Sequence, residues 1–149
     1  MKDVRSAEIL CVGTELLLGD IINTNASYIS RRLAALGIPV YRQAVVGDNP
    51  ERMRQAIAES FSRSDCLILS GGLGPTCDDI TKEMVAEYLG LELELNEEAL
   101  ERMKAYFSST GRNMTKNNEK QAMAPRGARV LQNDWGTAPG FVIEQGEKT

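Results

Sequence analysis

The chain of 149 residues contains no histidine at all. Histidine is the usual general base at neutral pH and the commonest transition-metal ligand, so any catalysis must rest on carboxylates, Lys, Thr, Tyr, Cys or a metal-bound water. Aromatic residues make up only 5% of the chain, and the formal net charge is -4. Because a nucleic-acid-binding surface normally needs a basic stripe and stacking rings, nucleic acid is not the expected partner.

Cysteine and long apolar runs are also scarce. Cys11, Cys66 and Cys77 are odd in number and far apart, and no Cys-x-x-Cys spacing indicates zinc. We therefore expect a reducing compartment and a cytoplasmic protein. There is no apolar run of ~18 residues and no charged-then-apolar leader, so we expect neither a membrane span nor a secretory signal.

Residues 66–84 are the stretch around which the sequence is organised. An apolar run from Cys66 to Leu69 ends in the glycine-rich segment Gly71-Gly72-Leu73-Gly74-Pro75-Thr76, and Asp78-Asp79 follows. This order predicts a buried strand, a turn of phosphate-binding size and a helix entered at Asp78. Open α/β sheets bind ligands at the carboxyl ends of their strands, so the turn is a candidate anion site.

The two aspartates suggest that a cation takes part. Carboxylates at the start of a helix would repel a phosphate unless a hard divalent cation, such as Mg²⁺, bridged the two. Two simpler interpretations remain open: the turn is only a tight strand-to-helix connection, and one aspartate is only the helix N-cap. Asp48 and Glu15 each follow a strand and could join the site, although such residues are more often plain turn residues.

The first half of the chain predicts the order β-α-β-α-β. A second buried strand, residues 8–12, ends in the turn Gly13-Thr14-Glu15. Asn23-Thr24-Asn25 offers caps for a helix that stops at Gly37, and residues 38–46 form a less buried strand with polar residues in its middle. Pro50 suits the first turn of the next helix, whose stripe of Met53, Ile57 and Phe61 faces the core.

The second half alternates shorter elements. We predict a helix over residues 78–88, a short edge strand over 91–95 and a helix capped by Asn96. A short helix over 117–123 is ended by Pro125, and two short strands follow at 128–131 and 141–144. With no repeat, low-complexity tract or linker, the whole chain from residue 1 to 149 is predicted to be a single domain.

Four isolated side chains have both a functional and a structural interpretation. Cys77 lies beside the glycines, but no histidine can activate it, so we treat it as passive. Lys120 and Arg126 could neutralise a ligand phosphate, with surface solubility the simpler role for Arg126. Trp135 could stack on a base, although a lone Trp beside glycines more often packs over a sheet edge.

Taken together, several blocks resemble the N-terminal domain of the CinA (competence/damage-inducible) family. The blocks are Gly13-Thr14-Glu15-Leu16-Leu17-Leu18-Gly19, Asn23-Thr24-Asn25-Ala26, Val46-Gly47-Asp48-Asn49-Pro50, Gly71-Gly72-Leu73-Gly74-Pro75-Thr76-x-Asp78-Asp79-x-Thr81-Lys82-Glu83, Asn118-x-Lys120-Gln121-Ala122 and Gly136-Thr137-Ala138-Pro139-Gly140. The glycine and double-aspartate block is shared more loosely with MogA/MoaB and gephyrin molybdopterin-binding domains.

The resemblance implies a fold and an activity. The implied fold is a three-layer α/β/α sandwich with a mostly parallel sheet. The implied activity is metal-assisted hydrolysis of ADP-ribose to AMP and ribose 5-phosphate, with Mg²⁺ or another divalent cation as cofactor. The alternative is a molybdopterin- or nucleotide-binding module without turnover. The expected partners are a small nucleotide, further copies of the chain and a C-terminal domain that deamidates nicotinamide mononucleotide in the full-length protein.

The resemblance also implies roles for individual positions. The catalytic set is Asp48, Asp79 and Lys120, and the metal set is Asp48, Asp78 and Asp79. The residues expected to bind phosphate or nucleotide are Thr14, Glu15, Asn25, Ser70, Gly71, Gly72, Gly74, Thr76 and Thr81. Members of the family continue past the position of Thr149 with an apolar strand, so we expect this chain to be truncated, its sheet unfinished after a hairpin turn at residues 145–148.

Overall fold

The computed structural model describes residues 4–149, and these residues form two compact units. Unit 1 comprises residues 4–72 and 144–149, and unit 2 comprises residues 73–143. Within the described residues, every helix is too short or too polar to cross a membrane.

Unit 1 contains a parallel sheet and three helices. Its elements are β1 (Ala7–Val12), α1 (Thr14–Leu18), α2 (Thr24–Ala35), β2 (Val40–Val46), α3 (Pro50–Arg63) and β3 (Cys66–Ser70). The strands are parallel in the order β2-β1-β3, so the chain begins in the middle and adds a strand on each side. The predicted alternation of strands and long helices is confirmed, with α1 as an additional short helix that begins at Thr14, inside the predicted turn.

Unit 1 has three layers, since helices cover both faces of β1. The odd-numbered residues of β1 share a core cluster with Ala26 and Leu33 of α2. On the opposite face, the buried carboxylate of Glu8 accepts hydrogen bonds from Ser60 (3.0 Å) and Arg63 (2.7 Å) of α3. The sheet therefore lies between α2 and α3, which confirms the α/β/α fold with a parallel central sheet.

The two long helices of unit 1 begin where the sequence predicts, α2 after the caps offered by residues 23–25 and α3 at Pro50. The side chain of Asn23 accepts the Ala26 N–H at 3.1 Å, and Asn49 accepts the Arg52 N–H at 3.0 Å, with Pro50 in the first turn of α3. These bonds satisfy N–H groups that have no partner within the helix. β2 lies at the sheet edge with the middle of the strand exposed, as its polar residues predict.

Unit 2 is built from short strand pairs and helices. Its elements are α4 (Thr81–Leu89), β4 (Leu93–Leu95), α5 (Glu97–Ser109), α6 (Lys116–Glu119), one 3-10 turn (Lys120–Ala122), β5 (Met123–Pro125), β6 (Arg129–Leu131) and β7 (Gly140–Val142). β4 pairs antiparallel with β5, and β6 pairs antiparallel with β7. Asn96 caps α5 by accepting the Ala99 N–H at 2.8 Å, as predicted.

Several boundaries in unit 2 differ from the prediction, including those of the last two strands, predicted at 128–131 and 141–144 and found at Arg129–Leu131 and Gly140–Val142. The helix expected to start at Asp78 starts at Thr81, and its N-cap Ile80 makes no side-chain capping bond. The helix expected over residues 117–123 is split into α6 and the 3-10 turn, because the chain must become extended at Met123 to pair with β4. The strand predicted at 91–95 exists, shortened, as one half of that pair.

The last residue of the chain lies beside β3. Thr149 donates its N–H to the carbonyl of Asp65, and its own carbonyl accepts the Leu67 N–H, both at 2.9 Å. One residue that bonds two positions flanking Cys66 in this way has the hydrogen-bond pattern of a parallel strand pair. The predicted turn just before it is confirmed, since Gln145 and Lys148 exchange two backbone hydrogen bonds of 3.0 Å.

Candidate functional site

In unit 1 the three parallel strands end almost level with one another. Val12 of β1 pairs with Val46 of β2, and Cys11 pairs with Ser70 of β3. The turns that follow these strands therefore lie at one edge of the sheet, where parallel strands of α/β proteins bind ligands. The structure brings together seven of the predicted site residues at or beside this carboxyl edge: Thr14, Glu15, Asn25, Asp48, Ser70, Gly71 and Gly72.

Asp48 and Thr14 connect two of these turns directly. One carboxylate oxygen of Asp48 accepts both the Thr14 N–H (3.0 Å) and the Thr14 hydroxyl (2.8 Å). The Asp48 N–H donates in turn to the Thr14 hydroxyl oxygen at 3.3 Å. Asp48 is half-buried. The carboxylate thus fixes the start of α1 against the end of β2, which is a structural role in addition to its predicted catalytic one.

Asn25 and Ser70 form a second polar pair at the carboxyl edge. The side-chain amide of Asn25, in the first turn of α2, donates to the Ser70 hydroxyl oxygen at 3.1 Å. That hydroxyl remains able to donate its own proton to a ligand oxygen. Glu15 is exposed in the first turn of α1. Hydroxyl, amide and carboxylate groups are therefore all presented to solvent at one edge.

Gly71 is required by the backbone at this edge. Its φ of 105° is unfavourable for other residues, and an added Cβ would lie 2.1 Å from the carbonyl oxygen of Val12. Gly72 also has a positive φ, of 63°. Only glycine allows the turn after β3 to pass this close to the end of β1, so the predicted need for glycine at these positions has a physical cause.

In unit 2, residues 73–79 form a turn that contains Gly74, Asp78 and Asp79. We call this segment the Asp79 turn. The Asp79 carboxylate accepts the Thr76 N–H (3.0 Å) and makes a very short hydrogen bond with the Thr76 hydroxyl. An added Cβ on Gly74 would lie 2.4 Å from the same carboxylate. Asp79 therefore caps the turn that precedes it and not the helix that follows, which corrects the predicted helix entry at Asp78-Asp79.

The hydrogen bonds of the Asp79 turn keep its carboxylate ionised. Burial by itself would raise the pKa of Asp79, but the bonds from the Thr76 side chain and from the Gly74 and Thr76 N–H groups outweigh burial and hold the pKa below its ordinary value. The positive charge of Lys120 acts in the same direction. Asp79 is thus an anion at neutral pH, as a metal-binding or water-positioning carboxylate must be.

The other predicted residues of unit 2 lie around this turn. The ammonium group of Lys120 donates to the carbonyl of Thr76 at 3.1 Å and, by a very short bond, to the carbonyl of Asp79. Asp78 is exposed to solvent, whereas Thr81 is buried at the first residue of α4. Lys120 therefore binds the turn backbone in this structure, and its predicted catalytic role stays a prediction.

Three functional candidates of unit 2 lie in the sequence blocks that resemble the CinA family, but the sequence analysis assigned them no role. Lys82 is buried and donates to the carbonyl of Lys120, and burial lowers its pKa. Gln121 donates to the Leu73 carbonyl at 3.2 Å and accepts the Thr137 hydroxyl at 3.1 Å. One sign in the sequence indicates that Lys82 is buried, namely its position between the apolar residues Ile80 and Met84 of a predicted helix.

The donor set limits what kind of metal site this chain can form. Among residues 4–149, His, Cys, Asp and Glu side chains do not gather in any group of three or more that could hold a metal ion. Mg²⁺ is often bound by one or two carboxylates together with substrate phosphates. Among the described residues, neither Asp48 of unit 1 nor Asp79 of unit 2 belongs to a dedicated protein cage for a metal, and their metal-binding roles stay a prediction.

A cavity of about 380 Å³ lies elsewhere in unit 2. Its walls are α5 and the segment before β7, and they include Arg102, Tyr106, Gln132 and Thr137. Arg102 is paired there with Asp134 at 3.1 Å. None of the predicted catalytic or phosphate-binding residues lines this cavity, so it is separate from the candidate site of its unit.

Comparison with known proteins identifies relatives along nearly the whole chain. The family described as "Probable molybdopterin binding domain" matches residues 8–149. A CinA-like protein of Dictyoglomus turgidum is 60% identical over 141 residues, which cover 95% of this chain and 34% of that protein. This chain therefore spans about a third of the length of the curated relatives it matches.

Solved structures give the same assignment. The crystal structure of the protein CinA, of unknown function, from Thermoplasma acidophilum is similar with a TM-score of 0.86 and 36% identity, over 97% of this chain and 84% of that chain. The molybdopterin biosynthesis enzyme MoaB of Thermus thermophilus is similar with a TM-score of 0.52 and 25% identity, over 55% of this chain and 53% of that one. The chain belongs to the molybdopterin-binding-domain family, in its CinA-like branch.

Proposed function

We propose that this chain is the phosphate-ligand-binding module of a CinA-like protein, and that its ligand is a nucleotide or a molybdopterin-type compound. The observation that carries the proposal is the level ending of three parallel strands in unit 1. Their turns present the Ser70 hydroxyl, the Asn25 amide and the glycine backbone at one edge. Such groups bind phosphate oxygens without needing a cationic side chain.

Each residue at this edge has a distinct task in the proposal. Gly71 lets the turn after β3 pass directly against the Val12 carbonyl at the end of β1, because it has no Cβ. Ser70 donates a hydroxyl proton, and the Asn25 amide orients that hydroxyl. Asp48 keeps the turn after β1 in place through Thr14. Pre-organised donors of this kind bind an anion without a cost of reorganisation.

We further propose that the ligand is ADP-ribose and that the module hydrolyses it in the presence of Mg²⁺. The support is the CinA-like branch of the family and the segments around Lys120 and Thr137 that resemble it. The metal would neutralise phosphate charge and polarise a phosphoryl oxygen. The carboxylate of Asp48 or that of Asp79 would accept a proton from the attacking water.

The reaction consumes one water and balances without another reactant. The water oxygen forms a bond to one phosphorus of the pyrophosphate, and the bridging P–O bond breaks. One proton of the water passes to the carboxylate, and the bridging oxygen leaves with the other phosphate. The products are AMP and ribose 5-phosphate. No histidine is needed for these steps, which agrees with its absence from the sequence.

A non-catalytic binding module is the competing proposal. The family description names molybdopterin binding, and MoaB of Thermus thermophilus, a molybdopterin biosynthesis enzyme, is a structural relative. In this case the chain would hold a pterin phosphate or a nucleotide without turnover. Since the curated relatives are about three times longer than the match, we propose that the catalytic part, a deamidase of nicotinamide mononucleotide, lies in their remaining length. We also propose that the module self-associates.

Calorimetric titration and product analysis separate these proposals. We expect ADP-ribose to bind in the presence of Mg²⁺, and to bind more tightly than a pterin phosphate in competition. Asp48→Asn removes the negative charge that would bind Mg²⁺ and alters the bonds to Thr14. We expect it to weaken ADP-ribose binding about tenfold, which corresponds to a loss of about 1.4 kcal/mol of binding free energy. The matched control is Glu51→Gln, which removes one exposed carboxylate of α3 and should change nothing.

The appearance of AMP decides between hydrolysis and binding. Formation of AMP that depends on Mg²⁺ and is lost in Asp48→Asn supports the hydrolase proposal. Tight binding without AMP supports the non-catalytic module. If neither ADP-ribose nor a pterin phosphate binds to the folded protein, the proposal of a phosphate-ligand module is wrong.

A further inference from the structure

Two adjacent side chains hold the Asp79 turn at its two ends. Lys120 donates to the carbonyls of Thr76 and Asp79, at the end of the turn. Gln121 donates to the carbonyl of Leu73, at its beginning. Lys120 and Gln121 both lie in the 3-10 turn that follows α6, so one short segment makes all of these hydrogen bonds to the Asp79 turn.

Both gripping residues are themselves held by a second residue. The ammonium group of Lys82 donates to the backbone carbonyl of Lys120. The hydroxyl of Thr137 donates to the side-chain oxygen of Gln121 at 3.1 Å. Lys82 is only 7% exposed and Gln121 only 3%. Since buried polar groups are costly when unpaired, these bonds are needed wherever the two side chains remain buried.

The direction of these bonds fixes the direction of the Gln121 amide. Its NH₂ group can reach the Leu73 carbonyl only while its oxygen faces the Thr137 hydroxyl. A hydroxyl can accept as well as donate, but a carbonyl can only accept, so the Leu73 side determines the orientation. Removing the Thr137 hydroxyl would leave a buried amide oxygen without a donor and would favour rotation of the amide away from Leu73.

We infer that Lys82 and Thr137 are positioning residues, which act through Lys120 and Gln121 to fix the conformation of the Asp79 turn for ligand binding. The inference rests on the proposed function for its ligand, but the clamp itself is a property of the folded chain. It also gives Lys120 a structural role. The ammonium group donates to two backbone carbonyls, with Glu83 at 3.7 Å, and so holds the turn.

This role accounts for two sequence blocks whose purpose the strand-end site leaves open. In the first block, Asn118 lies within α6 and accepts the N–H and hydroxyl of the N-cap residue Thr115 at 2.9 and 2.8 Å. Lys120 and Gln121 follow directly after α6 and donate hydrogen bonds to the carbonyls of the Asp79 turn. In the second block, Thr137 supplies the supporting hydroxyl. The two blocks therefore serve one purpose within unit 2.

Amide hydrogen exchange with Thr137→Val and Thr137→Ser tests the clamp without any ligand. Valine keeps the shape of threonine but lacks the hydroxyl, whereas serine keeps the hydroxyl. We expect the valine variant to increase exchange at residues 73–79 at least fivefold, with α3 of unit 1 unchanged as the internal reference. The serine variant should exchange as the wild type does. Equal exchange of the valine variant and the wild type would overturn the inference.

Ligand affinity then links the clamp to binding. In a wild type that binds ADP-ribose, Thr137→Val should weaken that affinity about tenfold while Thr137→Ser stays within twofold. Lys82→Met should have the same effect as Thr137→Val, and Thr137→Val decides the matter if Lys82→Met does not fold. Faster exchange with unchanged affinity would refute the role in binding. Failure of the wild type to bind ADP-ribose would refute the proposed function, while the exchange result would still decide whether the clamp exists.

Discussion

Replacing Gly71 with alanine should destabilise the fold more than a Gly→Ala change at any open turn. Gly71 has a φ of 105°, and a Cβ at this position would lie 2.1 Å from the Val12 carbonyl oxygen and 3.1 Å from the carbonyl carbon. Both atoms belong to the backbone of β1, the central strand of unit 1, so they cannot rotate away. The turn must therefore move away from the strand end.

The magnitude follows from two separate costs. A non-glycine residue in the left-handed region costs roughly 1–2 kcal/mol. Forcing extra volume into a packed position costs about 1–3 kcal/mol more. Alanine also restricts the unfolded chain, which stabilises the fold by about 0.4–1 kcal/mol. We expect Gly71→Ala to lower the free energy of unfolding by about 2–4 kcal/mol in total.

Gly37→Ala is the matched control. Gly37 also has a positive φ, of 73°, but an added Cβ there meets nothing within 4 Å. The strain of φ and the effect on the unfolded chain are therefore shared by the two variants, and the collision with Val12 is not. The difference between them isolates the close approach of the turn to β1, and we expect it to be about 1–3 kcal/mol.

Urea unfolding followed by circular dichroism measures both variants under the same conditions. In thermal unfolding, the expected difference corresponds to roughly 2–12 °C between the two midpoints, at ~2–4 °C per kcal/mol for a chain of this size. If Gly71→Ala is no less stable than Gly37→Ala, the turn does not pass against β1 as described. The argument that glycine is needed there for close approach would then be wrong.

Three further changes test other parts of the structure. Asp79→Asn should keep the fold, within about 1 kcal/mol, but weaken Mg²⁺-dependent ADP-ribose binding about tenfold or more, and unchanged affinity in calorimetry would contradict its role as a metal ligand. Hydrogen bonds from Arg63 lower the pKa of Glu8 in the folded protein. The stability that the ionised Glu8 carboxylate provides is therefore present above its unfolded pKa of about 4.3, and it is lost as the pH falls towards its folded pKa. Urea unfolding between pH 3 and 7 should accordingly show a flatter acid dependence in Glu8→Gln, and an unaltered slope would count against the buried pair. Cys77→Ser should leave affinity and turnover within twofold of the wild type, whereas a large loss of turnover would mean that the exposed thiol takes part in the reaction.

Apart from the short helix α1, the sequence predicted the elements of unit 1 well because they follow from local residue patterns. The continuous apolar run of β1 requires burial on both faces, and asparagine caps at positions 23 and 49 set the starts of α2 and α3. These signals are local, and parallel pairing then places the polar turns at one edge. The placement of these turns at one edge could therefore be derived without knowing any contact, whereas the binding roles of Asn25 and Ser70 came only from the family resemblance.

The Asp79 turn could not be predicted in the same way. An aspartate near a helix start is expected to cap that helix, but the Asp79 carboxylate turns back to Thr76, three residues earlier. The two choices use the same chemistry, a carboxylate that accepts a backbone N–H, and differ only in direction. Lys82 was missed for another reason, since a lysine in a helix is normally solvated and its buried acceptor, the Lys120 carbonyl, lies 38 residues away.

The backbone bonds of Thr149 have a practical consequence for experiments on this protein. Thr149 runs parallel to β3. A segment fused to its carboxyl group would therefore begin beside β3 and extend in the direction of Ser70 and Gly71, at the carboxyl end of that strand. A purification tag fused there could compete with a ligand, or could cover the strand flank and alter self-association. Binding and association measurements should therefore use a cleavable tag at the amino terminus, with the carboxyl-terminal fusion kept as a deliberate comparison.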